Sequence, residues 1–184
     1  MTECKVAGKA LRLVFLGAVI GALGSFRVIH PTVGGIAAIL GAALVLYGLY
    51  TAVPAHPYYR LAMMMEVACI VISALQIIFK SGLVGGIFSI LNTLAALLST
   101  AFVCSATRSL LKDKGDGELA EQARLITLLY ALCAAVSILC ILVSWIPILN
   151  ILADITGAIT SIVMLAANII KIIFYYKSSR SLCA

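Results

Sequence analysis

Polar and small residues recur at alternating steps of four and three along the last long apolar stretch of the chain. Most of the positions between residues 146 and 176 are Ile, Leu, Val or Ala, and the stripe that interrupts them is Asn150, Asp154, Gly157, Ser161, Met164, Asn168, Lys171 and Tyr175. Because an α-helix has about 3.6 residues per turn, this spacing places the stripe on one helical face. The pattern predicts a helix that is apolar on most of its surface and polar along one ridge.

Five further apolar stretches precede this one, and most of them repeat the same rhythm of small and polar positions. The six predicted helices span residues 13–29, 33–53, 60–79, 83–108, 123–145 and 147–176. Most are long enough to cross a bilayer, which takes about 20 residues. Residues 1–12 are predicted to be a basic tail, and residues 177–184 a second short tail. The expected fold is an all-α integral membrane protein with one transmembrane domain over residues 13–176.

Composition agrees with this fold class. Hydrophobic residues make up 64% of the chain and charged residues 11%, whereas soluble domains are roughly half apolar and a quarter charged. A net charge of +6 is compatible with nucleic-acid binding, but no basic stripe with interleaved aromatic residues occurs. We therefore expect the lipid bilayer, and no nucleic acid, as a partner.

Short internal echoes suggest how the helices are grouped. The segment Val33-Gly34-Gly35-Ile36 recurs as Val84-Gly85-Gly86-Ile87 at the start of a later helix. We read three tandem αα-hairpins, formed by helices 1–2, 3–4 and 5–6, in one bundle. Glycines recur on one face of helices 1 and 2, which predicts close packing between helices.

The basic residues predict an orientation. Two of them, Arg27 and Lys80, fall on one side of the predicted membrane, and the other eleven fall on the side of the termini. Cytoplasmic segments are enriched in Lys and Arg. The sequence therefore predicts a multi-pass protein of the cell membrane with both termini in the cytoplasm.

Charged residues inside the predicted spans are the strongest candidates for chemistry. A charge at mid-membrane costs about 2.5–3.5 kcal/mol on insertion scales and usually faces a cavity or a partner. Asp154 and Glu66 are the two acids in this position. The proposed outer ligand- or ion-binding candidates are Asp154, Asn150, Asn92, Gln76 and Ser89. Glu66, Lys171 and Asn168 are the candidates for an inner polar pair or gate.

We also expect helix 3 to face helix 6. In that arrangement Glu66 lies near Lys171, and Asp154 lies near Gln76 or Lys80. The serines and cysteines of the stripes are expected to serve mainly in packing.

Catalysis and metal binding have no support in the motifs. Neither histidine falls within a predicted helix, and no Cys-x-x-Cys, His-Glu-x-x-His or Gly-x-Ser-x-Gly segment occurs. We expect no cofactor, no metal site and no enzymatic activity.

Two functions remain open from the sequence. The first is a transport-related protein, either a solute-binding transport subunit or an ion pathway, with a polar interior between helices 3, 4 and 6. The second is a membrane scaffold that assembles with copies of itself or with a partner subunit through its small-residue seams. A hydrated cavity between helices 3, 4 and 6 that touches Asp154 favours the first, and a dry, filled core favours the second.

In size, helix count and the segment Ala18-x-x-x-Ala22, the chain resembles the substrate-binding subunits of energy-coupling-factor vitamin transporters. In those subunits a small-residue motif of this kind contacts the membrane partner. The resemblance implies a coupling protein and two ATPases as partners, and it carries no ligand signature.

Overall fold

The computed structural model describes residues 2–25, 31–79, 82–144, 146 and 150–183, with the backbone alone at 2, 25, 31–33, 82 and 150–154. These residues form six helices: α1 (Thr2–Ser25), α2 (Pro31–Ala52), α3 (Pro57–Ile78), α4 (Gly82–Asp113), α5 (Gly117–Val143) and α6 (Asn150–Cys183). All six are long and apolar enough to cross a membrane. The predicted fold class, an all-α six-helix membrane bundle, is confirmed.

The described helices follow chain order around the bundle. The most extensive packing joins α1 to α2, followed by α3 to α4 and α4 to α5. Next, α6 packs against α1 and α5, and it touches α4 over a short stretch. The contact between α2 and α3 is smaller. The bundle is thus a closed ring in which α2–α3 is the weakest neighbouring pair.

Glycines allow α1 and α2 to meet backbone to backbone. A Cβ added at Gly41 would lie 2.6 Å from the Gly21 nitrogen and 2.7 Å from the Gly17 oxygen. A Cβ added at Gly17 would in turn lie 2.6 Å from the Gly41 oxygen, and one at Gly24 would lie 2.7 Å from the Gly34 oxygen. Small residues permit this close approach of helices, so the predicted glycine seam is the α1–α2 interface.

Several helices run beyond their predicted ends at one end of the bundle, which we call the terminal end because it carries both termini. There α1 begins at Thr2 and α6 continues to Cys183, so the segments predicted as tails are largely helical. Ala7, Ala10 and Leu11 are buried, while Lys5 and Lys9 are exposed. Burial of one face explains why the basic segment is helical rather than a free tail.

The segment left between predicted helices 4 and 5, residues 109–122, is also mostly helix. Only three residues, 114–116, separate α4 from α5. Gly115 turns the chain with φ +87, and the Asp116 carboxylate caps α5 by accepting from the Leu119 amide at 3.3 Å. Exposed Lys and Glu side chains are compatible with helix, so charge alone did not mark the helix ends.

The hydrophobic core is concentrated at the terminal end. Its large fully buried side chains include Leu11, Leu49, Tyr59, Leu111 and Phe174. The Tyr59 hydroxyl lies 3.0 Å from the Thr107 hydroxyl in a buried hydrogen bond that joins α3 to α4. Nearer the opposite end most large apolar side chains are exposed, among them Ile39 (71%) and Ile78 (72%). Their exposure on membrane-length helices is what contact with lipid requires.

Candidate functional site

A cavity of about 550 Å³ lies inside the ring, next to the packed terminal end. One wall is made of small residues of α1 and α2, including Gly17, Ala18, Gly21, Gly41 and Ala42. The facing wall carries polar groups from α3, α4 and α6, which are Glu66, Ser99, Thr100, Asn168, Lys171 and Tyr175. The glycine seam therefore has a second effect: it leaves the space that the polar wall faces.

Glu66 is held on the polar wall by α4. The Ser99 hydroxyl donates to Glu66 Oε2 at 2.8 Å, and Ser99 itself is only 6% exposed. Hydrogen bonds to a charged group are worth about 1.5–3 kcal/mol. This bond fixes one carboxylate oxygen and offsets part of the cost of placing the acid among apolar helices.

Lys171 is held by an aromatic ring of α5. Its Nζ lies 4.7 Å from the centroid of the Tyr130 ring, which is within the range of a cation–π interaction. The Tyr130 hydroxyl donates to Asn168 Oδ1 at 2.5 Å, and Asn168 Nδ2 donates to the Met164 carbonyl at 3.0 Å. Tyr130 thus orients two cavity-lining side chains of α6 at once.

Glu66 and Lys171 line the same cavity, but they do not form an ion pair. The described ion pairs within 4.0 Å are Arg108–Glu121 and Arg124–Glu121. Each group of the inner pair instead has a neutral partner on a neighbouring helix. The cavity is therefore lined by an acidic and a basic side chain that are not in direct contact with each other.

The expected face-to-face packing of helices 3 and 6 needs correction. The extensive contacts of α6 are with α1 and α5, while α3 packs on α4 and less on α2. Glu66 on α3 and Lys171 on α6 nevertheless line the same cavity.

The predicted outer candidates do not line the cavity where they are described. Gln76, Ser89 and Asn92 are described, and none of them lines this cavity. The Asn92 Oδ1 atom is buried without a hydrogen-bond partner among the described residues. The side chains of Asn150 and Asp154 lie outside the described residues, as does Lys80. An outer site that includes Asp154 stays a prediction.

Sequence reasoning missed Ser99, Thr100 and Tyr130 as parts of a site. Ser99 was expected to serve in packing because it belongs to the stripe of helix 4, and Tyr130 belongs to the stripe of helix 5. Small polar residues at these spacings look the same whether they pack or face a cavity. The usable signal was depth, since Ser99 falls near the middle of its helix, as Glu66 does.

Ala18 and Ala22 line the cavity. The small-residue motif that carries the family resemblance thus forms part of the cavity wall. Comparisons of the chain with protein-family models, with curated proteins and with solved structures find no match. The geometry of the cavity is consequently the basis for assigning a function.

Proposed function

We propose that this protein is a transport-related membrane protein that binds a small polar solute or cation in the cavity between α1, α2, α3, α4 and α6. The observation that carries the proposal is that Glu66 and Lys171 line one cavity without pairing with each other. Two unpaired charges in an apolar bundle are costly, and such groups commonly mark a solute or ion pathway.

The size and lining of the cavity support binding of a small molecule. Small-molecule sites typically measure 300–1,000 Å³ and combine apolar walls with a few placed polar groups. The cavity, at about 550 Å³, falls within that range, and Glu66, Ser99 and Lys171 are its placed polar groups. Glu66 would pair with a cationic group of the solute, and Lys171 would pair with an anionic or carbonyl group.

The α1–α2 seam gives the scaffold alternative little support. It requires small-residue seams that are free to bind other helices. Gly17, Gly41 and Gly48 instead meet the neighbouring helix within the chain. The cavity lined by Glu66 and Lys171 also favours solute binding over a scaffold with a filled core.

We further propose that the terminal end faces the cytoplasm. The support is the distribution of basic residues, with eleven on that side and only Arg27 and Lys80 on the other. In this orientation the cavity lies beyond a packed cytoplasmic layer and a solute reaches it from the opposite end. Labelling of Cys4 and Cys183 in intact cells with a membrane-impermeant thiol reagent, after replacement of the four other cysteines, tests the orientation.

A thermal-shift screen of the purified protein tests solute binding. Amino acids, small amines, small carboxylates and alkali cations are added in turn, and the melting temperature is recorded for each. We expect one class to stabilise the wild type and to lose its effect in Glu66→Gln and in Lys171→Met. The matched control is Glu118→Gln, an exposed acid in the first turn of α5, which should keep the full shift.

A stabilising compound whose effect is the same in all four proteins would contradict the assignment of the cavity. Flux of the stabilising compound into liposomes then separates transport from binding alone. Asp154→Asn belongs in the same flux assay. Unchanged flux in that variant would remove Asp154 from the mechanism and leave the cavity assignment intact.

A further inference from the structure

A second recess lies outside the ring, in the groove between α4 and α5 at the terminal end. Its volume is about 310 Å³, and its lining includes Ser105, Arg108, Arg124, Leu128 and Ala131. None of these residues lines the cavity of the proposed function. The groove is therefore a separate feature, and nothing in the solute-binding proposal requires it.

The groove carries an excess of positive charge with unused hydrogen-bonding capacity. Arg108 Nη2 lies 3.1 Å from Glu121 Oε1, and Arg124 Nη1 lies 3.9 Å from Glu121 Oε2. Two guanidinium groups thus share one carboxylate, which leaves a net charge of +1. Arg108 Nε is buried and has no hydrogen-bond partner among the described residues, so the guanidinium is only partly satisfied by the protein.

Position along the helices relates the groove to the bilayer. Arg108 lies about 37 Å of helix beyond Leu83, the start of the α4 membrane window. The hydrocarbon core of a bilayer is only about 30 Å thick, so an α4 helix that enters the core at Leu83 leaves it before Arg108. Arg124 lies beside Arg108, since both contact Glu121, and this depth places the pair near the lipid headgroups. Leu128 is 54% exposed, and with Ala131 it lies one to two turns from Arg124 toward the hydrocarbon.

We infer that this groove binds an anionic phospholipid, with the phosphate at Arg108 and Arg124 and an acyl chain along Leu128 and Ala131. Guanidinium groups bind phosphate oxygens through paired hydrogen bonds. Basic pockets between membrane helices are typical sites for acidic headgroups. The apolar continuation of the groove favours a lipid over free phosphate, and the net positive charge favours an anionic lipid over a zwitterionic one.

Native mass spectrometry of the detergent-solubilised full chain tests the site. Phosphatidylglycerol, phosphatidylcholine and inorganic phosphate are titrated separately. Each arginine near a headgroup contributes about fivefold in affinity. We expect Arg124→Gln to weaken phosphatidylglycerol binding about fivefold, and the double variant with Arg108→Gln to weaken it about 30-fold. Arg60→Gln is the matched control, because Arg60 is exposed on α3 and outside the groove.

Arg124 is 65% exposed in its side chain, so its substitution tests the site without disturbing the core. A further variant, Ala131→Phe, fills the apolar end and leaves both arginines in place. It should weaken phosphatidylglycerol binding if an acyl chain lies there. Equal binding of the two lipids, or equal losses in Arg124→Gln and Arg60→Gln, would overturn the proposal. The proposal would also be overturned if inorganic phosphate bound in an arginine-dependent way and Ala131→Phe left phosphatidylglycerol binding unchanged. That result would identify a site for a soluble anion.

Discussion

The α1–α2 interface should not accept even one methyl group at Gly41. In the variant Gly41→Ala the new Cβ would lie 2.6 Å from the Gly21 nitrogen and 2.7 Å from both the Gly17 oxygen and the Gly21 Cα. All three atoms belong to backbone and cannot turn aside as a flexible side chain can. The two helices must move apart until these distances reach at least 3.4 Å, the start of ordinary contact.

The size of the effect follows from a comparison within the same helix. Overpacking of this kind costs about 1–3 kcal/mol, while replacing a helical glycine by alanine gains up to about 1 kcal/mol from helix propensity. Gly35 is also in α2, and a Cβ there would meet nothing within 4 Å. Since both variants gain the propensity term, the difference between Gly41→Ala and Gly35→Ala isolates the overpacking, about 1–3 kcal/mol.

Unfolding of the purified protein in mixed micelles with increasing SDS measures this difference. Gly35→Ala should be as stable as the wild type or more stable, and Gly41→Ala should be less stable than Gly35→Ala. Because Gly41 also lines the cavity, separation of the helices should also change the solute binding that we propose. Equal free energies of unfolding for the two variants would refute the close backbone contact between α1 and α2.

Two further predictions concern hydrogen bonds inside the bundle, and the same unfolding assay checks both. Tyr59→Phe removes the hydrogen-bond partner of the fully buried Thr107 hydroxyl. It should lower the free energy of unfolding by about 1–3 kcal/mol. The control Tyr50→Phe, at a tyrosine that is 65% exposed, should have no effect. Ser99→Ala removes the donor to Glu66 and should cost about 1.5–3 kcal/mol, with recovery in Ser99→Thr because the hydroxyl is kept. A similar loss in both tyrosine variants, or no recovery with threonine, would count against these contacts.

Much of the architecture could be predicted from the sequence because lipid-facing helices leave a strong pattern. The six apolar stretches correspond to six helices, and the glycines of helices 1 and 2 form the interface between these helices. The ends were less predictable. Charged side chains such as Lys112 and Glu118 are exposed on helical turns, and nothing in their chemistry ends a helix. Gly115 and the Asp116 cap were the informative residues there.

The site could be predicted in part. Glu66, Asn168 and Lys171 stand out because polar groups are costly in an apolar stretch, and all three line one cavity. Their actual partners could not be read from spacing, which constrains one helix at a time. The Ser99 bond to Glu66 and the Tyr130 contact with Lys171 both depend on how helices are arranged around the ring.

The helices that line the cavity are packed to different extents, and this difference bears on which of them can move. Backbone contacts lock α1 to α2, so this pair cannot slide without steric clash. By contrast, α3 buries only Tyr59 and Ala62 along its length, and although it packs extensively on α4 it has only a small contact with α2. Low local packing lowers the free energy of local opening. Glu66 is on α3 and Lys171 is on α6, so a displacement of α3 away from α2 would change the spacing of the two side chains. Under the proposed function, the affinity of the cavity for a solute would then depend on the position of one helix, which is a property that a carrier needs and a fixed pore lacks.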